Sequence, residues 1–205
     1  GTSKFVTYEE REAHKTQTLH VDIALVENDK LDIEGFKSWR TEFAHAEFIT
    51  CPDGTYTCGH EVEKMSKSKY NIQTPDELIE KYGADTLRCY EMFLGPLTQS
   101  KPWDTQGISG VHNFLRKFSK LIISSENCES TKPELKIVHK AIDKVTSDLD
   151  RFAFNTVVSA LMIAVNELNH LKSVKSHLGL RPLVTLLSPY APHLAEDLWK
   201  KVGGE

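Results

Sequence analysis

From Thr131 onward apolar residues return at steps of three and four: Leu135, Val138, Ile142, Val145 and Leu149. That spacing stacks side chains on one face and predicts a long amphipathic helix. Its start is marked by Thr131-Lys132-Pro133-Glu134, a capping-box pattern with proline just inside. Asn155 can cap a following helix with Val158, Leu161, Val165 and Leu168 inward, and Ala160 and Ala164 let a neighbour approach. Lys172, Lys175 and His177 are expected to close that helix, where cations suit the dipole. Leu183, Leu186 and Leu187 open a pair of shorter helices broken at Pro189 and Pro192.

The same period runs upstream. Asp104 or Thr105 can cap a helix whose Phe114, Leu115, Phe118, Leu121 and Ile122 share a face. Before it, Gly83 separates two helices, the second placing Leu87, Tyr90 and Leu94 together and stopping at Gly95-Pro96. The first of the two starts at Thr74-Pro75-Asp76-Glu77, again a capping-box pattern. Ser124 to Lys132 is polar and reads as a loop. Helices of this length, apolar on one face and joined by short loops, predict an antiparallel bundle.

The first third reads differently. Leu19-His20-Val21-Asp22-Ile23 alternates apolar and polar, and Ala24-Leu25-Val26 extends it, so a strand is expected. Asn28-Asp29 is a turn, and Asp32 can cap a short helix carrying Phe36 and Trp39. Glu47–Thr50 and Tyr56–Cys58 flank Pro52-Asp53-Gly54, which predicts a hairpin. The expected class is α+β: a small strand–helix–hairpin unit followed by a mostly helical bundle.

Between the two parts no period holds. Lys64-Met65-Ser66-Lys67-Ser68, continued by Lys69-Tyr70-Asn71, has Met65 as its sole apolar side chain before Tyr70. Serine hydroxyls compete for backbone groups, which favours a loop. The stretch reads as a mobile, solvated loop that carries cationic head groups toward a polyanion, with Lys69 solvated.

Loop, following helix start and Tyr82-Gly83-Ala84-Asp85-Thr86-Leu87-Arg88 together resemble the second signature of class I aminoacyl-tRNA synthetases. Gly95-Pro96, Trp103-Asp104, Gly107, Gly110 and Asn113-Phe114-Leu115 follow at the spacing of the leucyl members. Ser188-Pro189-Tyr190-Ala191-Pro192-His193-Leu194-Ala195-Glu196 with Trp199 is similar to that subclass's helical tRNA-binding domain. The resemblance implies a ligase that joins leucine to tRNA(Leu) with ATP, accompanied by Mg2+. It implies that Lys64 and Lys67 contact the ATP phosphates, Lys67 foremost, with Met65, Ser66 and Ser68 completing the loop. Negative charge grows on the phosphate oxygens as pyrophosphate leaves, and lysine is a compact charge on a flexible stem. Arg116, Lys117 and Lys120 lie on the outer side of their helix, as a solvated face or as a face for tRNA phosphates. In family order, residues 1–62 are a small insertion resembling the leucine-specific one, 63–105 end the catalytic domain, and 106–205 form the tRNA-binding bundle.

Composition is compatible with this. Of 205 residues, 40% are hydrophobic and 26% charged, and the net charge of −4 excludes indiscriminate nucleic-acid binding, so any tRNA contact needs local basic patches. No membrane span or signal peptide is evident, so a cytoplasmic monomer is expected. Cys51, Cys58, Cys89 and Cys128 have no disulfide-framework spacing. Cys51, Cys58, His60 and His45 raise a zinc reading, but the gap of six between Cys51 and Cys58 departs from zinc-ribbon spacing, so no metal is assigned. Trp103 reads as a packing anchor and His193 as a hydrogen-bonding histidine. The first class I signature, His-Ile-Gly-His, does not occur, and no leucine pocket or editing insertion is recognisable. The chain therefore reads as an internal fragment that is inactive alone. Two rivals stay open: a non-enzymatic helical RNA-binding module, and a fragment of a valyl, isoleucyl or methionyl enzyme.

Overall fold

The computed structural model describes residues 3–203, without the side chains of Thr105 and Gln106. The chain folds as two compact units, residues 1–73 and 74–205.

The first unit is built around aromatic rings. Strand β1 (Lys4–Val6) pairs in parallel with β4 (Glu47–Ile49), Phe5 standing opposite Phe48. Helix α1 (Ile33–Trp39) begins where Asp32 accepts from the Gly35 amide, and it buries Phe36. Phe5 stacks on Phe48 at 5.0 Å and meets Phe36 and Phe43 edge-on at 5.5 and 5.2 Å. Edge-to-face pairs of this kind add to the area they bury. The Tyr56 hydroxyl donates to the Val6 carbonyl at 2.6 Å, and burial pushes its phenol up to about 12.

Two expectations fail here. The alternating stretch from Leu19 is not a strand, because Asp22 turns inward and accepts from the Ala24 amide, winding Ile23–Leu25 into a 3₁₀ turn. Within that stretch only Val26 enters a strand: β2 (Val26–Glu27) pairs antiparallel with β3 (Lys30–Leu31) across Asn28-Asp29, both at positive φ as the expected turn requires. The turn at Pro52-Asp53-Gly54 forms, with Cys51 donating to the Thr55 carbonyl at 2.8 Å and Gly54 at φ 81°. Its flanks do not pair as a hairpin: β4 goes to β1, while Leu31 donates to Tyr56 and Lys30 bridges Thr57.

The second unit is helical: α2 (Pro75–Tyr82), α3 (Ala84–Phe93), α4 (Thr105–Ile123), α5 (Lys132–Asp150), α6 (Phe154–His170), α7 (His177–Leu187) and α8 (Pro192–Lys201). One contiguous core joins them. The face of α4 is as its spacing predicts, with Phe114, Leu115, Phe118, Leu121 and Ile122 all buried. Its start follows Asp104, whose backbone meets the Tyr90 hydroxyl; the alternative cap Thr105 lies outside the described side chains. Trp103 packs edge-on against Tyr90 at 5.1 Å.

The capping box closes at Thr131: its hydroxyl accepts from the Glu134 amide at 3.3 Å and Glu134 reaches back to the Thr131 amide. It does not close at Thr74, which makes no side-chain cap bond, so Pro75 alone marks that start. The buried line of α5 is Glu134, Val138, Ala141, Val145 and Asp148, while Leu135 and Leu149 face solvent. Each buried carboxylate has found partners. Glu134 accepts from the Ser176 amide at 2.9 Å. Asp148 accepts from Lys144, Arg151 and the Thr156 hydroxyl, all at 2.6 or 2.7 Å. The Thr156 bond ties the end of α5 to the start of α6, where Ala153 rather than Asn155 is the cap.

Helix α6 ends at His170, short of the expected cations. Lys175 folds back, buried, and its ammonium donates to the Leu171 carbonyl at 2.9 Å and to that of Ser173. A lysine thus satisfies a carbonyl at the helix end, from the loop rather than from the helix. His177 opens α7, its Nδ1 2.6 Å from the Ser125 hydroxyl.

Candidate functional site

The lysine loop lies in the first unit, and its backbone takes a defined turn. Ser66 is extended, Lys67–Lys69 form one 3₁₀ turn, and Tyr70 follows in the left-handed region at φ 53°. Side chains rarely occupy that region, at a cost of about 1–2 kcal/mol. Three contacts hold Tyr70 there: its amide donates to Lys67, its carbonyl accepts from the Ile23 amide at 2.9 Å, and its ring meets Trp39 edge-on at 4.8 Å. The next residue, Asn71, turns its side chain back into the loop. Its Oδ1 accepts from the Ser66 amide at 2.8 Å, and its Nδ2 donates to the Lys64 carbonyl at 3.4 Å. The Ser66 and Ser68 hydroxyls lie 3.3 Å apart.

The three lysines of the loop separate by environment. Lys64 and Lys67 are exposed, and neither head group has a hydrogen-bond or ion-pair partner among the described residues. Lys69, expected to be solvated, is half-buried and bonds Glu63 Oε1 at 2.5 Å. Glu63 Oε2 in turn meets His20 Nε2 at 3.0 Å. Hydrogen bonds from Lys69 and then from His20 hold the Glu63 carboxyl below the usual carboxylate range. So two cations project from a fixed turn, and the third is spent on fixing it.

A second cationic feature is on the bundle. Arg116, Lys117 and Lys120 are exposed on the outer side of α4. Arg116 and Lys120 also line an open groove of about 760 Å³ with His112, Ser119 and Ile123 on one side and Gly83–Thr86 and His193 on the other. Lys117 does not line it. Within that groove Asp85 is already engaged, accepting from the Leu194 amide at 2.7 Å and bonding His193 Nδ1 at 2.8 Å. This caps α8 from α3 and gives His193 a hydrogen-bonding role.

The thiol and imidazole groups do not gather. Among the described residues no three His, Cys, Asp or Glu side chains converge as a metal site. Cys51 Sγ lies 3.1 Å from Glu9, His60 pairs with Asp29 at 3.4 Å, and burial raises the Cys58 thiol, with Asp29 adding to it. All four cysteines are free thiols, and burial pushes the Cys89 thiol up to about 12. No described helix is long and apolar enough to cross a membrane.

The profile of the anticodon-binding domain of tRNA ligase matches residues 135–205, which run from the first turn of α5 to the chain end. A protein of Parabacteroides distasonis named leucine–tRNA ligase is 54% identical over 209 aligned positions, covering 99% of this chain and 22% of its own length. Along nearly its whole length the chain matches one segment of a leucine–tRNA ligase. A Porphyromonas gingivalis leucine–tRNA ligase is 53% identical over 100% of this chain and 22% of its own length. A crystal structure of Agrobacterium radiobacter K84 LeuRS, in a ternary complex with tRNA and LeuAMS, superposes with a TM-score of 0.60 at 30% identity. It covers 77% of this chain and 23% of that one. The chain thus spans about a fifth of the leucine–tRNA ligases it matches. The sequence singles out the loop lysines by type but not Glu63, His20 and Asn71. Only the contacts across the loop single these three out, since an acidic, an imidazole and an amide side chain on the flanks carry no period of their own.

Proposed function

We propose that this chain serves as the part of a leucine–tRNA ligase that brings the second ATP-site signature and a helical tRNA-binding bundle. The observation that carries the reading is the lysine loop: within a chain 54% identical to a leucine–tRNA ligase, it presents Lys64 and Lys67 unpaired on a fixed turn. Adenylate formation moves negative charge onto the departing pyrophosphate. Cations held where that charge develops lower the barrier without reorganising at the moment of reaction. Lys64 and Lys67 meet that description, with Met65 completing the loop and the small side chains of Ser66 and Ser68 letting its backbone approach the phosphates of Mg2+-bound ATP. Lys69 does not, because Glu63 neutralises it.

The bundle supplies the tRNA side. Arg116, Lys117 and Lys120 form a local basic face on a chain of net charge −4, which localises a polyanion instead of attracting it everywhere. The protein is read as cytoplasmic and monomeric, with tRNA(Leu), leucine and ATP as partners. No leucine pocket is recognisable in the sequence, so leucine selection is assigned to the rest of the ligase.

Exchange of pyrophosphate into ATP, measured amino acid by amino acid, tests the reading. The full ligase that carries this segment is expected to exchange with leucine and not with valine, isoleucine or methionine. The 205-residue chain alone is expected to give no more than a boiled control. Exchange driven by another amino acid, or turnover by the chain alone, overturns it.

A further inference from the structure

We infer that Asn71 is a positioning residue: its carboxamide bridges the two backbone groups that bracket Met65 and thereby aims Lys64 and Lys67. This rests on the reading of those lysines as phosphate-contacting groups.

The geometry is that of a clip. The Ser66 amide sits between the two lysines, and its hydrogen goes to Asn71 Oδ1 at 2.8 Å. The Lys64 carbonyl sits at the loop's entry, and it accepts from Asn71 Nδ2 at 3.4 Å. One planar group with a donor and an acceptor therefore satisfies both; an aliphatic side chain can satisfy neither, and a carboxylate only the Ser66 amide. Asn71 reaches back only because Tyr70 reverses the chain at φ 53°, and Tyr70 is fixed by Ile23 and Trp39. Lys69 closes the far side through Glu63. These contacts thus form a connected set in which Asn71 holds the backbone between Lys64 and Lys67.

The consequence is preorganisation. A free chain of Ser and Lys samples many turns, and few of them bring both ammonium groups to one phosphate group. Holding the turn in advance spares that search during the reaction. The clip touches neither lysine head group, so it acts on how often they are aligned and not on their charge.

The test has two arms. In the 205-residue chain, Asn71→Ala is expected to speed hydrogen exchange of the Ser66 amide at least about tenfold, with α5 and α6 amides unchanged. Asn71→Asp keeps an acceptor and is expected to keep Ser66 slow. In the full ligase, Asn71→Ala is expected to lower kcat for leucine-dependent exchange about tenfold while KM for ATP stays within about twofold. Equal Ser66 exchange in wild type and Asn71→Ala overturns the clip. An unchanged kcat in Asn71→Ala, in a ligase that Lys67→Ala does slow, overturns the positioning role. If Lys67→Ala is also without effect, the phosphate reading of the loop fails and the positioning role with it, while the Ser66 exchange still decides whether the clip exists.

Discussion

A buried carboxylate and a glycine meet at the start of α5, and their coupling is measurable. Glu134 is fully buried and accepts from the Ser176 amide at 2.9 Å. A methyl group on Gly179, in α7, would lie 2.6 Å from Glu134 Oε1 and 2.5 Å from the Ser130 hydroxyl. Both distances are far inside van der Waals contact. Ser130 can rotate away; Glu134 cannot without giving up Ser176 and the capping box. Gly179→Ala should therefore cost about 2 kcal/mol, the middle of the range for overpacking. Glu134→Ala loses the box, worth about 1 kcal/mol, and strands the Ser176 amide, worth about 1–3 kcal/mol. The relief of no longer burying a charge offsets part of this, so a loss near 2 kcal/mol is expected. In the double variant the alanine at 179 meets no carboxylate. Its own cost should fall to roughly 1 kcal/mol or less, leaving a coupling of about 1 kcal/mol or more. Urea unfolding followed by circular dichroism at constant m gives all four corners of the cycle. Additive losses would refute the steric argument, and so would a harmless Gly179→Ala.

Asp148 offers a pH test. Desolvation works to raise its carboxyl, but bonds from Lys144, Thr156 and Arg151 outweigh it and hold the group below the usual carboxylate range. A lowered folded value contributes stability that is complete above about pH 4 and lost as pH falls through that value. Asp148→Asn should lower the thermal midpoint at neutral pH and flatten its fall below about pH 4; an unchanged acid slope would contradict this. On the RNA side, Arg116→Ala with Lys120→Ala should weaken tRNA(Leu) binding by the full ligase and reduce the salt dependence by about two counterions. Filter binding over a salt series reads both, and an unchanged slope removes these residues from the interface. Lys117→Ala, outside the groove, should reduce the slope only if the contact extends around the outer face of α4.

The helical unit was legible where a single face carries the signal. Phe114 to Ile122 gave the inside of α4, and Thr131 with Glu134 gave the start of α5. Period alone misplaced the α5 face by about one residue, because Glu134 and Asp148 are drawn inside by Ser176 and Thr156. Those partners are distant in sequence, and apolar counting ranks a carboxylate as outside. The first unit was less legible. Alternation from Leu19 suggested a strand, but Asp22 offered its own turn bond to Ala24, a competition of the kind short polar side chains set up. The turn signal at Pro52-Asp53-Gly54 suggested a hairpin, yet its flanks pair with Lys4–Val6 and with Lys30-Leu31, which no local rule selects. Within the loop the lysines stood out by type. Their order did not, because it depends on Tyr70 entering a region of φ that favours glycine and on Glu63, His20 and Asn71 closing around it.

The most direct measurement is single-turnover adenylate formation by the full ligase carrying Lys67→Ala or Lys69→Ala. The Lys67 ammonium has no partner among the described residues, whereas that of Lys69 is held by Glu63 at 2.5 Å. A cation that meets charge appearing only in the transition state acts on rate more than on binding. Losing one such contact costs on the order of 3 kcal/mol, about a hundredfold. Lys67→Ala is expected to slow adenylate formation by about that factor with ATP affinity nearly unchanged, and Lys69→Ala to do much less. A more damaging Lys69→Ala, or a Lys67→Ala that only weakens ATP binding at an unchanged rate, would contradict the assignment.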